Sequence, residues 1–228
     1  ARVAGDSGPR YRALIDAGAL ITGLTNLEVA RYLLSHGLRG LEGVVFLNQR
    51  DERMVLVRDG FRVIELAQCG LGLEQRFTFY DHVHTTGMDI AQPLACTACL
   101  TLSKDSTLRD YAQGAYRMRG IGKGQKIELL LIPEVLSLVH KSQSKSEGHE
   151  AEDRAATAES LAEQRPRGWT QRVIVDVLVW LMVNGLRRDE WKHILLCKQN
   201  VQNIWRAAAS AQLEEAPAAG SEMRAWLP

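Results

Sequence analysis

Two stretches of this chain concentrate residue types that do chemistry. The first, DHVHTTGMDI (Asp81 to Ile90), sets two histidines, two threonines, a glycine and two aspartates directly behind an apolar run. The second, QGAYRMRGIGKGQ (Gln113 to Gln125), places Arg117, Arg119 and Lys123 among glycines. Guanidinium forks hold phosphate oxygens at two points, and glycines let the backbone come close to an anion. Arg117, Arg119 and Lys123 therefore have the composition of a polyphosphate clamp. Thr85, Thr86 and Asp89 add hydroxyls and a carboxylate that could orient an arginine or a metal at the same site. The basic loop also reads as a charged surface turn, and spacing alone does not separate the two.

The elements that must position these stretches follow from periodicity. ALIT (Ala19 to Thr22) is a short strand candidate. TNLEVARYLLSHG then reads as a helix, with Asn26 as N-cap, Leu27, Ala30, Leu33 and Leu34 on one face, and Gly37 as the stop. GVVFL is the next strand, and RMVLV and FRVIEL form a hairpin around Asp59-Gly60. RFTFYD, ACTACLTLS and KIELLLIPEV are further strands, the last closing just before Pro133. STLRDYAQGAYRM is helical, with Ser106 placed to cap it. Short strands separated by helical stretches predict an open, mostly parallel α/β sheet. In such sheets functional residues gather beyond the carboxyl ends of the strands, where DHVHTTGMDI follows RFTFY.

Bulk properties bound the rest. At 228 residues the chain can bury one sizeable core plus a helical appendage. Its 28 Lys+Arg against 27 Asp+Glu give no bulk charge to attract nucleic acid or a membrane, so any basic function is local. Four cysteines are too few for a disulfide framework, and no signal-peptide pattern opens the chain. A reducing, intracellular setting is expected, cytoplasmic or nuclear. The longest apolar run, VIVDVLVWLMV, contains Asp176 and is too short to span a bilayer. The chain opens on Ala1 without a methionine, and we expect a segment of something larger. The expected division is 1–140 as the α/β lobe, 141–168 as a solvated polar linker, 169–213 as a helical extension and 214–228 as a tail. Within the extension two helices are predicted, 171–185 and 188–211. The first is apolar nearly all round and should be covered. Ile194, Leu195, Val201, Ile204 and Trp205 recur on one face of the second. Trp180 and Trp205 read as core.

Thr-x-Gly-x-Asp-Ile, followed some two dozen residues later by Gln-x-x-x-Arg, resembles motifs V and VI of superfamily-two helicases. The pattern is similar in particular to the second RecA-like lobe of the bacterial preprotein-translocase ATPase, over about Ala13 to Pro133. It is closer still to large, poorly characterised eukaryotic proteins that carry this helicase-like segment and are sometimes labelled ubiquitin hydrolases. FTFYDHVHTTGMDI, LTLSKDSTLRDYAQGAYRMRGIGKGQ and DVLVWLMVNGLRRDEWKHILLCKQNVQNIWR all look like that family. The resemblance implies a RecA-like fold. It implies that Gly87 and Asp89 form the motif V turn, and that Gln113 and Arg117 are the motif VI glutamine and first arginine. With Arg119 they would face an interlobe cleft, and Thr86 and Lys123 are further candidates for binding the nucleotide there. ATP and Mg would bind only together with a partner lobe, the N-terminal RecA-like lobe of the parent chain. A nucleic acid or polypeptide would then be the moving substrate. An arginine reaching across such a cleft is worth roughly 10³–10⁵ in rate.

Two departures qualify that reading. The usual second arginine sits seven residues after the glutamine, where this chain has Gly120, and Arg119 stands one residue early. No Gly-x-x-x-x-Gly-Lys-Ser/Thr occurs, and GIGKGQ lacks the hydroxyl that would hold magnesium. Alone, the chain is expected to bind nucleotide weakly and to hydrolyse nothing. A non-catalytic, helicase-derived scaffold is the competing reading. A thiol-dependent ubiquitin hydrolase, pairing Cys69, Cys96 or Cys99 with His84, is a third. Cys96 and Cys99 have C-x-x-C spacing near His82 and His84, but buried strand cysteines behave as small hydrophobes, and no metal site is expected.

Overall fold

Runs in which every residue is apolar become strands where both faces of a sheet can be covered. The computed structural model, which describes residues 11–144 and 169–215, shows seven strands in one sheet, of which Ala13–Ile15 and Gly43–Leu47 are such runs. The seven are β1 (Ala13–Ile15), β2 (Gly43–Leu47), β3 (Arg53–Val57), β4 (Val63–Glu65), β5 (Arg76–Tyr80), β6 (Thr97–Thr101) and β7 (Lys126–Leu130). Their spatial order is β4-β3-β2-β5-β1-β6-β7. Five neighbours, β2-β5-β1-β6-β7, run parallel, and the β3–β4 hairpin adds two antiparallel strands at one edge. The fold is therefore α/β with a mostly parallel mixed sheet.

Alternation along each strand sends side chains to two separate cores. Leu14, Val44, Phe46, Phe77, Phe79 and Cys99 face one side, where α1 (Asn26–His36) brings Val29, Ala30, Leu33 and Leu34. Ala13, Ile15, Val45, Leu47, Tyr80 and Leu100 face the other. That second face is closed by Ala115 and Met118, at and just after α2 (Leu108–Ala115), by Val135 and Val139 of α3 (Pro133–Ser144), and by the start of α4 (Trp169–Glu215). The chain divides into two units, Ala1–Asn184 and Gly185–Pro228. Among the described residues no helix is long and apolar enough to cross a membrane.

The sheet departs from the sequence-based expectation where a polar anchor decides. The first strand is Ala13–Ile15, buried throughout, and Ala19 to Thr22 form no strand. Buried Asp16 ends β1, and its carboxylate accepts from Leu20 N and Ile21 N, both at 3.0 Å, so those amides are spent in a turn. Thr25, not Asn26, caps α1 through a reciprocal capping box with Glu28, and Thr107, not Ser106, caps α2 with Asp110. The connection from β5 to β6 carries only a single helical turn at Val83–Thr85.

The C-terminal expectations also change. α4 is one helix across both predicted helices, with Gly185 inside it. Its first turns are covered on one side only: Val173, Val177, Trp180 and Leu181 are buried, while Ile174, Val175, Val179 and Met182 are exposed. Ile194, Leu195, Val201, Ile204 and Trp205 are all exposed, Trp205 by 73%, so Trp205 is not a core residue. The boundary expected after residue 140 falls within α3. Of the linker expected at 141–168, the first four residues belong to α3, and of the tail expected at 214–228 the first two belong to α4; the rest of both lies outside the described residues.

Candidate functional site

Asp89 is the point on which the two motif-bearing stretches meet. The chain leaves β5 at Tyr80, makes its helical turn, and passes Gly87 at φ +81°, a backbone geometry that side chains disfavour. It is then pinned at Ile90, whose N–H donates to the buried Tyr80 hydroxyl at 2.9 Å. Asp89 is thereby held beside the C-terminus of α2. There Arg117 Nη1 donates to Asp89 Oδ1 at 2.8 Å and also to the Met88 carbonyl. Arg119 places Nε and Nη2 on Asp89 Oδ2, at 3.1 and 2.6 Å.

The two arginines differ in exposure. Arg117 is 8% exposed, and its Nε is buried with no hydrogen-bond partner. The Arg119 side chain is 59% exposed. Hydrogen bonding from Arg119 holds the Asp89 carboxyl below its ordinary pKa. Partial burial opposes this, while the fields of Arg117, Arg119 and, more weakly, Arg53 add to it. One carboxylate is thus shared by two guanidinium groups, which leaves the cluster with a surplus of positive charge.

Position 120 has little room for a side chain. A Cβ on Gly120 would lie 2.9 Å from Gln125 Cδ. Gln125 is not free to yield: it is buried, its Oε1 accepts from Gly120 N at 2.6 Å, and its Nε2 donates to the Pro93 carbonyl at 2.8 Å. Gln125 shapes the basic loop, and its role was hidden because both partners are backbone groups.

The remaining sequence-predicted residues scatter around this centre. Thr86 is exposed, and Gln113 is half-buried on α2. Lys123 is exposed in a turn closed by its own N–H on the Gly120 carbonyl at 2.9 Å. Thr85 is buried and its hydroxyl already donates to the His82 carbonyl at 2.9 Å, so it has no proton left to give a phosphate.

A second polar cluster was missed. His84 Nδ1 pairs with Asp81 Oδ1, and its Nε2 lies 2.8 Å from Asp51 Oδ1 in the β2–β3 turn. Asn26 Nδ2 joins Asp81 Oδ1 at 3.0 Å and the Leu47 carbonyl at 2.8 Å. Burial works against charge on His84, but the hydrogen bonds and fields of Asp51 and Asp81 outweigh it and raise its pKa above the ordinary 6.5. Asp81 and His84 were visible in sequence, whereas Asp51 comes from another turn and carries no local signal.

The cysteines do not fit a thiol or metal centre. Cys96 packs into one face of the sheet and Cys99 into the other, so they cannot share an ion. Burial raises both thiol pKa values, that of Cys99 to about 11, with the Glu128 field adding to it. His84 has both nitrogens committed to carboxylates. No group of three or more potential metal ligands converges among the described residues. A thiol–imidazole contact does occur between Cys197 and His193, 3.6 Å apart on an exposed helical face. Comparisons with protein-family models, curated proteins and solved structures find no match to this chain.

Proposed function

We propose that the Asp89 edge is a phosphate-recognising surface and that this chain is the second lobe of a helicase-like ATPase. The lobe would supply Arg119 to a nucleotide held mainly by a partner lobe of the parent protein, with magnesium bound there too. The observation that carries the reading is the charge imbalance at Asp89, where the guanidinium groups of Arg117 and Arg119 share one carboxylate. Arg117 is the positioning arginine, since it is buried and tied to the Met88 carbonyl and to Asp89. Arg119 is the exchangeable one: exposed, and bonded only to a carboxylate that a phosphate oxygen can replace. Thr86, Gly87, Gln113 and Lys123 would border the same phosphates. The parallel sheet supports the reading only at the level of fold class.

The test is nucleotide turnover by the full-length parent, against Arg119→Ala and Arg117→Ala singly. A fall on the order of 10³ for Arg119→Ala, in a protein of unchanged stability, is the expected result. No turnover by the folded parent would sink the ATPase reading. It would leave the helicase-derived scaffold, which the internal pairing of both arginines with Asp89 already favours as the second reading.

A further inference from the structure

Beside the His84 cluster, at the carboxyl ends of β2 and β5, lies a cavity of about 520 Å³. That is within the range of roughly 300–1,000 Å³ typical of small-molecule sites. Its wall is apolar, built from Leu27 at the start of α1, Phe46 and Leu47 of β2, Met54 of β3 and Val63 of β4. Its polar residues are Thr25, Asn26, Asn48, Gln49, Asp81 and His84.

Counting donors and acceptors in this polar end shows what a ligand must bring. The Thr25 hydroxyl is consumed by Glu28. Asn48 Oδ1 accepts from Arg50 N and Glu52 N, both at 2.9 Å, and its Nδ2 donates to Glu52 at 2.6 Å. Both nitrogens of His84 are engaged. Asn26 must present its amide N–H groups to the Leu47 carbonyl and Asp81, which fixes the orientation of its carboxamide and leaves Oδ1 over. Asp81 Oδ1 serves His84 and Asn26, while Oδ2 has no protein donor among the described residues. Apart from the exposed Gln49 amide, the unspent capacity is therefore acceptor capacity, in Asn26 Oδ1 and Asp81 Oδ2. Charge points the same way: the carboxylates of Asp51 and Asp81 flank the one imidazole, and neither Lys nor Arg lines the cavity.

We infer that this cavity is a binding site for a small organic amine, an ammonium head on a flat apolar body. The head donates to Asp81 Oδ2 and Asn26 Oδ1, and the body lies against Phe46, Met54 and Val63. His84 and Asn26 hold the Asp81 carboxylate in place for this. The site is independent of the phosphate reading, because it uses none of the arginines and has the opposite charge preference.

The test uses the full chain and the methyl NMR signals of its five methionines, of which Met54 reports on the cavity. Phenethylamine and phenethyl alcohol, equal in shape and differing in the head, are the probes. The expected result is a saturable shift of the Met54 signal, with the amine at least about tenfold tighter, the minimum for a charge-assisted hydrogen bond in a half-buried site. Asp81→Asn should erase that preference. Val63→Phe, which fills the cavity and leaves the polar cluster alone, should block both probes. Equal titration by amine and alcohol would overturn the inference, as would a Met54 signal that neither probe moves in a folded chain. The amine–alcohol contrast and the Val63→Phe arm decide the matter even if Asp81→Asn fails to fold.

Discussion

Asp89 binds two arginines whose removal has unequal consequences. Arg117 is buried against the Met88 carbonyl, so Arg117→Ala takes a charged donor from that carbonyl and from one oxygen of Asp89 and leaves a void where the side chain was buried. We expect a loss of about 2–3 kcal/mol, read by urea denaturation. Arg119→Ala should leave the midpoint nearly unchanged, because its ion pair is exposed and screened. Equal losses would show that the two play the same structural part. The His84 cluster makes a prediction about pH. Its imidazole pKa is raised on folding, so its stabilisation is complete below the unfolded value of 6.5 and is lost as pH rises through the folded value. The stability difference between the chain and His84→Gln should therefore shrink from mildly acidic to mildly alkaline pH. A difference that grows with pH would reverse the assignment. At this scale the sequence showed the Asp89–Arg117–Arg119 group, because both stretches are short and rich in one chemistry. It hid Asp51 and Gln125, whose contacts depend on turns brought together by the sheet.

Between elements, the segments that leave β1 and β6 come into close backbone contact. A Cβ on Gly18 would stand 2.6 Å from Leu102 C and from Ser103 N, backbone atoms that cannot rotate away. Gly18 N also donates to the Thr101 hydroxyl at 3.1 Å, which in turn donates to Asp16 at 2.6 Å. Gly18→Ala should thus push apart the carboxyl ends of two central strands and cost on the order of 2 kcal/mol or more in denaturant unfolding. An unchanged midpoint would mean that the two loops shift at no cost. The same junction explains why the strand at Ala13–Ile15 escaped the sequence reading. The tripeptide Ala-Leu-Ile occurs twice, at 13–15 and at 19–21, and three residues are too short for alternation to tell the copies apart; the second copy is bent around the Asp16 carboxylate. Longer strands such as GVVFL and RFTFY were legible because five consecutive residues carry the pattern.

For the molecule as a whole, the question is which part of α4 the sheet needs. Periodicity could show that the helical residues beyond 170 have apolar positions, but not which of them are covered, since coverage depends on the partner surface. Val173, Val177, Trp180 and Leu181 belong to the core cluster that includes Ile15, Leu47 and Leu100, while every described residue from Leu186 to Leu213 is exposed. Burying a large apolar side chain is worth about 1.5–3 kcal/mol, so these four contribute on the order of 8 kcal/mol. That rivals the whole stability of a typical domain, about 5–15 kcal/mol. A chain ended after Asn184 should accordingly melt cooperatively within about 3 °C of the full chain, because it gives up no buried side chain described beyond that point. A chain ended after residue 168 should lose its cooperative transition and expose its apolar face. Calorimetry on the two truncations separates these outcomes. If the shorter chain melts as sharply as the longer one, the start of α4 is an ornament on the sheet rather than part of its core.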